Sequence, residues 1–130
     1  MADVDHLQQY NDHYGHAKGD QVLQQIADIM QQCLQRPGDL VARLDGGKFV
    51  AILQNTDSEG AWLVAEQFRS MLEEANIEHQ PSSLGCCITL SAGCASVLPS
   101  EDENAAAELL QQAEDLLQQA KQGGRNQVRS

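Results

Sequence analysis

Two apolar runs, Leu40 to Leu44 and Lys48 to Leu53, flank Asp45-Gly46-Gly47, and few backbone paths suit that pattern. Aspartate and glycine tolerate the positive φ that a tight reversal between paired strands demands, so residues 40–53 read as a β-hairpin. A hairpin this apolar needs a cover on at least one face. The sequence supplies it on both sides. From Asp20 onward, Val22, Leu23, Ile26, Ile29, Met30, Cys33 and Leu34 recur at helical spacing until Pro37-Gly38 stops the helix. A second helix is expected from about Ser58 to Ala75, capped by Asp57 or Ser58, with Ala61, Val64, Ala65, Phe68, Met71, Leu72 and Ala75 as its apolar stripe.

Met1 to Asp5 reads as the end of a strand whose earlier residues are absent, because an apolar run normally precedes paired acids in an α/β domain. The chain therefore reads as a fragment of a larger protein. His6 to Asp12 suits a short helix, Gly15 to Gly19 and Pro81-Ser82-Ser83 suit loops, and Cys86 to Val97 suits a buried strand. A last helix runs from Asn104 to Gln122 and ends at Gly123-Gly124. The order is strand, helix, hairpin, helix, strand, helix. It implies an α/β (α+β) domain, a central, mostly antiparallel sheet flanked by helices, with the first strand largely missing. Short connections leave room for one domain over residues 1–130.

Composition excludes several functions. No apolar run approaches the length of a membrane span, and no basic segment followed by an apolar one opens the chain, so membrane contact is not expected and cytoplasm is the expected compartment. Eight basic residues against nineteen acidic ones give a net charge of −11, which repels a nucleic-acid backbone. A small anionic nucleotide is still compatible, because Mg²⁺ and a local patch such as Arg36, Arg43 and Lys48 can outweigh the global field. Cys33, Cys86, Cys87 and Cys94 lack metal-ligand spacing and are expected as reduced, buried thiols.

Asp3-Val4-Asp5-His6-Leu7, Tyr10-Asn11-Asp12, Tyr14-Gly15-His16, Gly19-Asp20, Asp39-Leu40-Val41-Ala42-Arg43 and the stretch from Lys121 to Asn126 together resemble the GGDEF domains of bacterial diguanylate cyclases. The resemblance spans essentially the whole chain. It implies the nucleotide cyclase fold and a chemistry in which two subunits each hold GTP with metal and close cyclic di-GMP by mutual attack. The Asp3 carboxylate and Val4 carbonyl would then be ligands of Mg²⁺, a hard cation that takes oxygen. Asn11 and Asp20 would read the guanine edge, and Lys121 and Arg125 would hold phosphates. Taken singly, Asn11 could close a short helix, Asp20 could be an N-cap and Lys121 could complement a helix dipole.

The signature itself departs from the family. Counted without gaps from Arg43, the five positions Gly, Gly, Asp or Glu, Glu and Phe become Asp45, Gly46, Gly47, Lys48 and Phe49. Gly47 has no side-chain oxygen to give a metal, and Lys48 puts a cation where an anion is usual. Asp45 adds bulk and charge where phosphate should meet backbone. Negligible cyclase activity is expected.

Arg36-Pro37-Gly38-Asp39 matches the Arg-x-x-Asp motif with which family members bind cyclic di-GMP as a product inhibitor. An arginine forks onto guanine or phosphate oxygens, and a carboxylate accepts from guanine nitrogens. A supporting arginine on the next helix has become Gln67, with Arg69 the nearest substitute. Three functions follow: a cyclic di-GMP receptor that signals to attached sensory or output domains, a GTP-binding regulator or weak cyclase, and a homodimerising scaffold that binds no nucleotide.

Overall fold

The computed structural model describes residues 1–82, 84, 85 and 87–130. Ser83, within the expected loop, and Cys86, at the start of the expected strand and one of the four thiols, lie outside the described residues. The elements are β1 (Ala2–Val4), α1 (Leu7–Tyr14), α2 (His16–Cys33), β2 (Leu40–Asp45), β3 (Lys48–Ile52), α3 (Ser58–Glu74), β4 (Leu90–Gly93), α4 (Ala105–Gln122) and β5 (Val128–Arg129). They form one sheet in the order β2-β3-β1-β4-β5, antiparallel throughout except for the β4–β5 pair.

The hairpin forms where expected, with Gly46 at φ 48° in the turn and a register shift between Arg43 and Asp45. Asp57 caps α3 through its carboxylate, which accepts from Gly60 N at 2.8 Å. The main core lies between the sheet and helices α1 to α3, around Tyr10, Ile26, Met30, Phe49, Phe68 and Leu72. α4 crosses the sheet so closely that a Cβ on Gly93 would lie 2.3 Å from both Ala113 O and Leu117 N.

Four expectations are corrected. The stretch from Gly15 to Gly19 is not a loop: α2 starts at His16, and Gly15 alone, at φ 91°, breaks α1 from α2. Gly19 lies inside α2 because Asn11 of α1 packs against it, a Cβ there lying 1.7 Å from Asn11 Oδ1. The strand expected over 86–97 shrinks to Leu90–Gly93, with Cys87 in an isolated bridge to Glu78. A strand lasts only as long as its partner, and β1 pairs with residues 90–92. β5, absent from the sequence reading, adds two residues parallel to β4. Of the described cysteines, Cys33 and Cys94 are buried thiols and Cys87 is only half-buried.

β1 is three residues long yet sits in the middle of the sheet. Beyond Met1, residues 50–53 and 94–97 face each other across a groove of about 870 Å³, walled by Ala61, Val64 and Phe68 on one side and Leu109, Leu110 and Ala113 on the other.

Candidate functional site

The end of β1, the hairpin turn, the start of α1 and the C-terminal turn of α4 converge at one end of the sheet. Asp3 pairs across the ladder with Lys48, and Val4 N donates to Gly47 O at 3.0 Å, so the signature turn lies against β1. Gly47 is buried there, and a Cβ on it would lie 3.0 Å from Leu7 Cδ2 and 3.1 Å from Val4 Cβ. An acidic side chain at this position would have to displace those neighbours.

The charged groups are committed to one another. Lys121 Nζ forms an ion pair with Asp3 Oδ2, joining the expected phosphate holder to the expected metal ligand. Lys48 Nζ lies 3.1 Å from both oxygens of Glu114 on α4. Desolvation works to raise the Glu114 carboxyl, but hydrogen bonds from Gln118 and Lys48, with the charges of Lys48 and Lys121, hold it below its ordinary value.

Mg²⁺ asks for near-octahedral oxygen, usually with one or two carboxylates. Asp3 is engaged by an ammonium, Gly47 offers no side chain, and a lysine occupies the next position. Among the described residues no three His, Cys, Asp or Glu side chains are grouped to hold a metal ion. This donor set does not fit Mg²⁺.

The groups expected to read guanine and phosphate differ in availability. Asn11 Oδ1 is buried without a hydrogen-bond partner, which is costly unless something else donates to it. Asp20 is exposed and lines a small hollow of about 300 Å³ with Gln24, Ala42 and Arg43. Arg125 sits at φ 65° just past α4, exposed, and among the described residues no hydrogen bond or ion pair engages its guanidinium.

Arg36 and Asp39 are brought together. Arg36 Nε donates to Asp39 Oδ2 at 3.3 Å, and Arg36 Nη2 donates to Gln54 O and Thr56 Oγ1. Asp39 Oδ1 accepts from Gln54 N at 2.9 Å. The carboxylate side chain is 6% exposed and the arginine 54%, so the pair clasps the loop after β3 with the guanidinium outward. Arg69 is held elsewhere: it pairs with Glu66 and with Glu73 at 2.9 Å, and donates to Asn126 Oδ1 at 3.1 Å. Hydrogen bonding from Arg69 is the main cause that holds Glu66 below the usual carboxylate range.

The sequence reading gave no role to Asp5 or Glu114. Asp5 is buried and accepts from Thr89 Oγ1 at 2.8 Å, Ser91 Oγ at 2.7 Å and Asn126 N at 3.0 Å. It ties β1, β4 and the C-terminal turn into one unit. Thr89 and Ser91, two apart in an apolar stretch, were the available signal, since that spacing points both hydroxyls to one face. Glu114 carried no such signal.

A short central strand between a hairpin and a second antiparallel strand, with helices packed over the sheet, defines a domain of the nucleotide cyclase fold. The chain belongs to the GGDEF family, and the family model described as diguanylate cyclase, GGDEF domain, matches residues 1–127. It is 37% identical over 128 residues to diguanylate cyclase A of Treponema denticola, covering 98% of this chain and 33% of that protein. It is 36% identical to diguanylate cyclase DgcM of Escherichia coli over 98% of this chain and 29% of that protein. The chain thus spans about a third of the length of these curated relatives.

Among solved structures, the active GGEEF domain of a diguanylate cyclase from Vibrio cholerae superimposes with a TM-score of 0.82 at 30% identity, over 98% of this chain and 78% of that one. The GGDEF domain of DgcB from Caulobacter crescentus, in complex with c-di-GMP, superimposes with a TM-score of 0.84 at 28% identity, over 98% of this chain and 73% of that one.

Proposed function

We propose that this GGDEF domain serves cyclic di-GMP signalling as a receptor or regulatory module, binding cyclic di-GMP at Arg36 and Asp39 and turning over little or no GTP. The observation that carries the reading is the braced Arg36–Asp39 pair. Gln54 and Thr56 hold the guanidinium in one orientation while half of the side chain stays exposed. Those contacts leave Nη1 as the guanidinium nitrogen that meets a ligand, and a side chain already held in place loses less freedom on binding. The DgcB domain above was solved with this dinucleotide, which supports it as the ligand class. Gly47 and Lys48 at the signature positions support the absence of cyclase chemistry, since neither a glycine nor a lysine carries the carboxylate that the chemistry needs there. In the cytoplasm, attached sensory or output domains would receive the signal.

A second reading rests on Asn11. Among the described residues its buried Oδ1 has no donor and the exposed Arg125 has no anion, which suits a guanine nucleotide at the former substrate pocket. Isothermal titration separates the two. Micromolar or tighter cyclic di-GMP binding, lost in Arg36→Ala and retained in Asn11→Ala, is the expected result. GTP binding lost only in Asn11→Ala would favour the second reading, and silence toward both ligands would sink both.

A further inference from the structure

Asp3 and Lys48 face each other where β1 and β3 pair. Lys48 reaches across to α4, donating to both oxygens of Glu114 at 3.1 Å. Two turns further along the same helix, Lys121 reaches back to Asp3. Two carboxylates and two ammoniums therefore share this end of the sheet, all with side chains between 21% and 30% exposed. Their charges sum to zero.

We infer that Lys48 is the built-in cation of this domain: its ammonium fastens the hairpin to α4 and balances the carboxylates of Asp3 and Glu114, so that this end of the sheet neither needs nor accepts a divalent metal. The family resemblance implies Mg²⁺ at Asp3 and Val4, and the donors present do not fit it. An ion entering here would meet two like charges at short range in a half-buried setting, where screening is weak. It would also have to break both ion pairs. The ammonium joins strand to helix but offers no Lewis acidity. This inference concerns the ion pairs alone and stands whether or not a nucleotide binds.

The test is thermal unfolding of the nucleotide-free chain in EDTA and in millimolar MgCl₂ or MnCl₂ at matched ionic strength. The wild-type unfolding temperature is expected to be the same in both. Lys48→Glu removes the cation and adds a third carboxylate, so its unfolding temperature should drop by roughly 5 °C in EDTA and recover with the divalent salt. The double variant Lys48→Glu/Glu114→Lys should regain stability and lose the metal response. Should Lys48→Glu not fold, Lys48→Met, which only unmasks the carboxylates, should acquire a smaller metal response and bind Mn²⁺ by electron paramagnetic resonance, which the wild type does not. A wild type that gains as much from Mg²⁺ as the variants, or Lys48 variants that gain nothing, would overturn the inference.

Discussion

Burial leaves the His79 ring with no exposed surface, edge-on to Tyr10 at 5.3 Å, with Nε2 donating to the His6 carbonyl at 3.0 Å and Nδ1 without a partner among the described residues. Desolvation is the main cause that holds its pKa below the ordinary 6.5, and the charges of His6 and His13 act the same way. The unfolded chain therefore takes up a proton that the folded chain refuses. The stability contributed by the neutral ring is complete above pH 6.5 and is lost as pH falls from there toward the folded value. The unfolding temperature should fall more steeply below that pH in the wild type than in His79→Phe, and equal slopes would mean that the ring titrates freely. Asn11, Arg36 and Asp39 were singled out from the sequence because each stands in a motif, and the structure adds that Arg36 and Asp39 lie within hydrogen-bond reach of each other. The role of His79 was not, since no local pattern tells a buried histidine from a surface one. Lys48 was legible as a lost acid, but its partner Glu114 lies 66 residues away, beyond any periodicity argument.

Among the elements, α3 and the hairpin were readable because their signals are local: a carboxylate cap, an apolar stripe, a turn that tolerates positive φ. The start of α2 was misread because Gly19 looks like a loop residue, and only the packing of α1 gives it a reason to be helical. Gly93 makes the same point in a strand. A side chain there would enter the backbone of α4, with no flexible group to give way. Gly93→Ala is expected to cost about 2–4 kcal/mol, read by urea unfolding, because the helix must lift off the sheet. Loss of under about 0.5 kcal/mol, the range of an ordinary surface change, would mean that α4 docks loosely.

At the scale of the molecule, an apolar groove lies in line with β1 on the far side of Met1. Residue 93 faces α4, so successive residues in line with β1 would alternate between the walls formed by α3 and α4, both apolar. Fusing a short Val/Ile/Leu segment ahead of Met1 should raise the unfolding temperature by about 5 °C or more, while a Ser/Gly segment of equal length should not. A rise with both would point to an effect other than strand addition. The sequence by itself determined the family, the hairpin, the helical faces and the loss of the signature acids, because turn chemistry, periodicity and motif spacing are written in neighbouring residues. Tertiary structure alone decided the two-residue β5, the shortening of β4, the commitment of Asp3 to Lys121 and of Lys48 to Glu114, and the anchoring of Arg69 away from Arg36. Strand length depends on partners and charge pairing depends on distance through space, and neither is encoded within a single window of chain.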